Sequence, residues 1–355
     1  FIDYMKVRGS FSSVGMPYPR NLTSPTYEYN EATQSWKPKT HYPIGDLKPE
    51  RTDSWEVGLD MKLFKDFNLG LSWYLANTFN QTFDPQISVS SGYTTIYLQT
   101  GYVRNTGLEL SLGYGHTWNN NFRWDSNFTL SHNKNKIKEL VRDYVHPETG
   151  ELINKDRLDV GGLGKARFIL KEGGTLGDLY TQSDLKRDDN GMVDIDPTGI
   201  VAIENNLPDI KLGSVFPKAN LAWSNHFSWK GISLSALFTA RIGGIVYSAT
   251  EAAMDQYGVS ERSALARDNG GVLVNNRTLV DAQNYYTTIG SESGLPQYYT
   301  YNATNVRLQE ASIGYLIPRK WLGNVCDIQV SVIGRNLWMI YNKAPFDPES
   351  VATTD

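Results

Sequence analysis

Cysteine is nearly absent: Cys326 stands alone among 355 residues. That excludes an intrachain disulfide and a cysteine metal cluster. Long apolar runs are absent too. None approaches the ~18 residues of a membrane helix, and mean hydropathy is −0.41. A helical membrane protein is excluded, but a membrane barrel is not, because its alternating strands average out as hydrophilic. Neither sign of charge is in large excess: net charge is −4 and the isoelectric point about 5.8, so no nucleic-acid partner is implied. There are five histidines, no G-x-S-x-G, and no complete P-loop, since GLGK (162–165) is followed by Ala166. The sequence implies neither an enzyme nor a cofactor. No signal peptide opens the chain. FIDYMKVRGSF begins directly in strand-like sequence, as expected of a piece of a longer protein.

What the chain has is aromatic residues, with 21 Tyr, 13 Phe and 9 Trp, together with 31 Gly. It also has alternation. In RTDSWEVGLDMKLF (51–64), Trp55, Val57, Leu59, Met61 and Leu63 oppose Glu56, Gly58, Asp60 and Lys62, which is the period of a two-faced strand. The pattern recurs in NLGLSWYLANTFN, TGLELSLGYGHTW, NFRWDSNFTLSHN, ANLAWSNHFSW, ISLSALFTARIGG and DIQVSVIGRNLW, and more weakly in YMKVRGSFSSVG and NVRLQEASIGYLIP. The last of these changes phase near Gln309–Ala311, which predicts a bulge. These segments predict about nine strands, several longer than the ~5–6 residues usual in soluble sheets.

The connections alternate as well. Short links are expected at 65–67, 119–121, 229–231 and 318–324, and long ones at 15–49, 83–101, 138–216 and 248–300. Short turns at one end and long loops at the other mark an outer-membrane barrel. Aromatics gather at the short-turn end (Phe64, Phe67, Trp118, Phe122, Trp124, Phe227, Trp229, Trp321), while Trp55, Phe79, Trp338 and Tyr341 suit the other interface. The fold class expected is therefore all-β: an antiparallel transmembrane β-barrel portion with long extracellular loops. Glu56, Asp60, Glu109, Arg123, Asp125, Arg241 and Arg335 would then face a wet lumen. On the lipid face a midplane Arg or Lys would cost roughly 2–4 kcal/mol. The competing reading is a soluble secreted glycan-binding β-protein, with the Trp223/Phe227 and Leu234/Phe238 faces buried inside.

Other chemistry is weaker. His116, His132 and His226 lie on separate strands. The Glu109 and Asp125 carboxylates suit solute steering better than acid–base work. Cys326 shares the Ile328/Val330 face. In the 184–196 loop, Asp188, Asn190 and Asp194 have part of a calcium spacing without a closing glutamate. The tyrosine-rich loops offer Trp36, Tyr93, Tyr97 and Tyr299 as candidate substrate contacts, because such rings join a flat apolar face to a polar edge. SATEAAMDQY (248–257) and SERSALARD (260–268) predict short helices where a partner could dock.

Several segments carry a family resemblance: LKPERTDSWEVGLDMKLF (47–64), MKVRGSFSSVG (5–15), YVRNTGLELSLGY (102–114), VFPKANLAWSNHFSWKGISLSALFTARIGG (215–244), then VRLQEASIGYLIP, GRNLWMIY and DPES. LKEGGTLGDLY (170–180) and GVSERSALARDNGGV (258–272) add loop segments. In number and order these resemble the SusC/RagA class of TonB-dependent outer-membrane transporters of Bacteroidetes. The resemblance implies a barrel of roughly 22 strands filled by an N-terminal plug. Residues 1–355 would be the C-terminal part of that barrel, without the plug or the last strand. It further implies active nutrient import, most readily of oligosaccharides and in some members of peptides. The implied partners are a SusD-like surface lipoprotein as lid, TonB acting through the plug, and outer-membrane lipid and lipopolysaccharide. A passive porin or a receptor without transport is the nearer alternative; a full-length sequence without plug or TonB box would favour it.

Overall fold

The computed structural model describes residues 1–17, 28–37, 41–42, 48–83, 95–118, 121–145, 150 and 152–350. Nine long strands form one sheet: β1 (Ile2–Met16), β2 (Glu50–Leu63), β3 (Phe67–Phe83), β4 (Leu98–Thr117), β5 (Arg123–Glu139), β6 (Ala219–Trp229), β7 (Ile232–Ile242), β8 (Asn305–Ile317) and β9 (Ile328–Asn342). Each pairs antiparallel with the next in the chain, so the sheet is a single up-and-down meander. Tight connections fall at one end. Lys230 and Gly231 close the β6–β7 hairpin at φ 49° and 88°, as a two-residue turn with two left-handed positions requires. Long excursions leave the other end, and none of the described residues in 140–218 belongs to a strand of the main sheet.

Register keeps each face uniform across the strands. Val7, Leu59, Leu71, Leu110, Leu130 and Leu221 are successive cross-strand partners on one face. This face holds no soluble-type core: Trp73, Trp223 and Leu234 remain 41%, 46% and 46% exposed. That removes the soluble sandwich reading. Polar groups on this face are matched locally. Trp124 Nε1 donates to Asn225 Oδ1 (3.1 Å) and Trp223 Nε1 to Ser126 Oγ (3.0 Å). Near the tight turns the rings of Phe67, Tyr114, Trp124 and Phe227 run side by side across β3–β6, with centroids 4.7, 5.2 and 5.9 Å apart. At the loop end, Phe11 meets Trp55 and Phe79 stacks on Tyr102. Two aromatic belts bracketing an apolar band are what a bilayer selects.

The predicted phase change is present. Pairing skips between Leu308 and Glu310 against both β7 and β9. The strand expected to run to residue 247 ends earlier, at Ile242. Gly243 and Gly244 take φ 76° and 81°, and Ile245–Tyr247 pairs instead with Thr300–Asn302. Cys326 is exposed just before β9 rather than within a strand.

The buried cores lie at and beyond the loop end of the sheet, where Phe83, Leu98, Val103 and Ile137 of β3–β5 pack against Leu158 and Leu170. A four-stranded sheet (Arg157–Leu163, Ala166–Lys171, Asp178–Thr181, Ile210–Ser214) folds within the 140–218 excursion. The 243–304 excursion carries α1 (Ala249–Gln256), α2 (Glu261–Asp268) and α3 (Ala282–Gly290). Ser248, Ser260 and Asp281 cap these helices through their side chains. Leu179, Leu185 and Val201 from the first excursion share one core with Ala252, Ile289 and Leu295 from the second. The two loops therefore form a single packed dome.

Candidate functional site

The other face of the sheet is a polar trough of about 1600 Å³. One line of cross-strand partners spans eight strands: Arg8, Gly58, Ser72, Glu109, Ser131, Asn220, Arg241 and Asn305. Glu109 and Arg241, chosen separately from sequence, thus share one row. Arg8 Nη1 lies 3.0 Å from Glu56, Nε 3.3 Å from Asp60, and Nη2 donates to Ser72 Oγ at 2.7 Å. Gly58 permits this crossing, because a Cβ there would stand 2.5 Å from Arg8 Nε. Gly107 serves Tyr74 in the same way: the ring occupies the space of the missing Cβ, and its hydroxyl donates to Asn133 Oδ1 at 3.2 Å. Luminal glycines are lanes along which long side chains lie flat against the wall.

The remaining candidates divide into smaller groups. Arg123 and Asp125 form a two-bond ion pair (2.6 and 2.7 Å) beside His226, the cross-strand partner of Asp125. Arg335 reaches Glu310 at 2.9 Å. Arg241 donates Nη2 to the Val215 carbonyl at 2.7 Å and so ties the wall to the first excursion. The structure therefore brings Glu56 and Asp60 together through Arg8. It sets Glu109 between them and Arg241, and keeps the Arg123 and Arg335 pairs apart. Arg8, Tyr74 and Glu310 were missed as site residues; Arg8 lies in the weakly alternating first strand, and its signal was the isolated Gly58 facing it.

Of the loop aromatics, Trp36 is exposed beside Tyr29 (centroids 5.1 Å) on the hairpin formed by Glu28–Asn30 and Ser35–Lys37. Tyr97 is half-buried, and Tyr93 lies outside the described residues. Tyr299 is corrected: it is fully buried in the dome core and presents no face to a substrate. Its hydroxyl donates to Asp255 Oδ2 at 2.9 Å, and Arg262 lies 4.9 Å over its ring. Burial and the nearby Asp255 carboxylate hold its phenol far above the ordinary range. The predicted helices at 249–256 and 261–268 are present; α3 was not anticipated.

The 184–196 carboxylates do not converge. Asp188 Oδ1 accepts from the Asn190 and Met192 amides, both at 2.9 Å, and Asp194 pairs with Lys186 at 2.7 Å. Among the described residues no three acidic, His or Cys groups are placed to hold a metal ion. His116 is set against Asp66 at 2.8 Å and His132 against the Lys218 carbonyl, so the two rings serve local structure.

Residues 1–304 match the family described as TonB dependent receptor-like, beta-barrel. TonB-dependent receptor P3 of Formosa agariphila is 25% identical over 338 residues, which is 88% of this chain and 32% of that protein. TonB-dependent receptor P39 of the same organism is 27% identical over 191 residues, 52% of this chain and 17% of that one. The fold is similar to that of the RagAB peptide transporter, with a TM-score of 0.70 at 18% identity over 98% of this chain and 38% of the other. The chain spans a third or less of the length of these curated relatives. This likeness agrees with the SusC/RagA resemblance in fold, and the matched family consists of transporters, not enzymes. With its inside-out wall, paired aromatic belts and one-sided loops, the chain belongs to the TonB dependent receptor-like β-barrel family and is part of an outer-membrane barrel.

Proposed function

We propose that this chain forms part of the wall and outer vestibule of a TonB-driven importer of polar oligomers. The observation that carries the reading is the luminal row from Arg8 through Glu109 to Arg241. It offers fixed charges, amides and hydroxyls to a hydrated cargo, with apolar side chains turned away. The sequence-level reading of the cargo is an oligosaccharide, with Trp36 as the ring best exposed for stacking on a sugar. A peptide is the second reading. It is favoured by the alternation of fixed cations and anions along the wall and by the fold shared with a peptide transporter. A SusD-like lipoprotein would close over the dome, and TonB would act through a plug in another part of the protein. The whole would open only when the proton-motive force is spent.

Whole-cell uptake of labelled oligosaccharides and peptides, in the parent and a gene-deletion strain, tests this. Uptake should vanish on deletion and on collapse of the proton-motive force. Uptake that survives an uncoupler would indicate a passive porin. Trp36→Ala should weaken capture up to about tenfold if the cargo is a sugar, and leave peptide uptake unchanged.

A further inference from the structure

Glu109 stands apart from the other carboxylates of the lumen. Glu56 and Asp60 lean on Arg8, Asp125 on Arg123 and Glu310 on Arg335. Glu109 lines the trough and is exposed, and among the described residues it makes no hydrogen bond and no ion pair. Its surroundings on the luminal grid are neutral. Ser72 and Ser131 are its cross-strand partners, and Gly107 and Ser111 flank it along β4. Arg8 reaches as far as Ser72, but Glu56 and Asp60 already share it, so three carboxylates face one guanidinium. In height Glu109 lies between Leu108 and Leu110 of the outer face, within the apolar band. A hydrated charge backed by a low-dielectric wall projects its field into the channel.

An aromatic ring lies beside this charge. One row nearer the loops, Glu56, Tyr74, Gly107 and Asn133 are successive cross-strand partners. Tyr74 lies over Gly107 and is held there by the bond from its hydroxyl to Asn133. The ring is half-buried, and among the described residues no second ring and no cation covers it. Tyr74 and Glu109 are diagonal neighbours in the register, which sets their attachment points roughly 7–8 Å apart, close enough for both side chains to meet one ligand group. Such a pair attracts a cation twice, through the carboxylate charge and through the quadrupole of the ring. We propose that Tyr74 and Glu109, with Ser131 and Asn133 beside them, form a luminal subsite for a cationic group of the cargo, an ammonium or a guanidinium. The inference rests on the importer reading above and narrows its cargo to oligomers that carry positive charge. A basic peptide and an amino-sugar oligomer both present such a group.

The test uses the complete transporter purified from outer membranes and calorimetric titration with two matched pairs of probes. One pair is a glucosamine tetrasaccharide and its fully N-acetylated form. The other is a lysine-containing tetrapeptide with a blocked N-terminus and the same peptide acetylated on the lysine. The wild type should bind the charged member of at least one pair about tenfold more tightly than its neutral twin, and the pair that responds identifies the source of the cation. E109Q should abolish this preference, lowering affinity for the charged probe about tenfold, as expected for loss of a charge-assisted contact, and leave the neutral twin unchanged. Y74A should weaken the charged probe about fivefold, whereas Y74F, which keeps the ring, should bind as the wild type does. Heat-modifiable migration of the folded barrel confirms that each variant is assembled. Binding of neither charged probe, equal binding of charged and neutral twins, or a preference retained by E109Q would overturn the proposal. Whole-cell uptake of the same probes separates it from the importer reading. Uptake that survives an uncoupler would contradict the importer and leave the subsite standing, whereas coupled uptake without charge preference would do the reverse.

Discussion

At the scale of single residues, the account rests on side chains whose environments invert their usual roles. Gly58 is present because Arg8 crosses it. Gly58→Val should displace Arg8 from Ser72 and Asp60 and slow uptake, while changing stability by only about 1 kcal/mol, because the ion pairs it disturbs are two-fifths exposed. Unaltered uptake kinetics in whole cells would separate Arg8 from transport. Tyr299 makes the opposite case. Tyr299→Phe removes a buried donor to Asp255 and should cost about 1–3 kcal/mol, read as faster proteolysis of the dome with the barrel itself unchanged. The candidate residues of the wall were legible in advance, because period-two alternation assigns each strand residue to a face. Tyr299 was not, because composition alone does not say whether a loop tyrosine packs inward or outward. That depends on the convergence of two excursions nearly a hundred residues apart in sequence, as the Thr288 hydroxyl bonded to the Val201 carbonyl illustrates.

At the scale of elements, the strand and the dome follow different physics. In β4, Leu110 faces outward at mid-height and Ser111 faces the lumen. Leu110→Arg should cost roughly 2–4 kcal/mol and reduce the amount of folded protein in the membrane, whereas Ser111→Arg should assemble normally. Heat-modifiability of the two variants on gels compares them directly. The dome depends instead on buried ion pairs. Asp209 accepts two bonds from Arg157 (2.6 and 2.8 Å) and lies 3.0 Å from Lys171. Hydrogen bonding from Arg157, then from Lys171, holds its carboxyl well below the usual range despite its burial. A depressed folded pKa means the contribution is fully present above the unfolded value of ~3.9 and fades as pH falls toward the folded one. Asp209→Asn should therefore loosen the dome by about 1 kcal/mol at neutral pH, after allowance for the partly exposed Arg157 and Lys171. The gap from wild type should narrow below about pH 4. Protease resistance followed from pH 7 to pH 2 measures this, and a constant gap would contradict it. The phase break at Gln309 could be read from sequence because it interrupts a long alternation. The dome's short strands and α3 could not, since stretches such as Asp178–Thr181 are too brief to show a period.

At the scale of the whole molecule, the central claim is that the wall is inside out: apolar residues meet lipid and polar residues meet water. Shared register over nine strands makes one position diagnostic of all. Leu59 partners Val7 and Leu71 on the outer face, and Asp60 lines the trough beside Arg8. In the complete transporter, with Cys326 and every other native cysteine replaced by serine, spin labels placed singly at Leu59 and Asp60 can be compared by power-saturation EPR in outer membranes. The account predicts that the Leu59 label relaxes with oxygen, as lipid-exposed sites do, and that the Asp60 label relaxes with a water-soluble nickel chelate. A Leu59 label shielded from both relaxants, together with an Asp60 label that senses lipid, would contradict it.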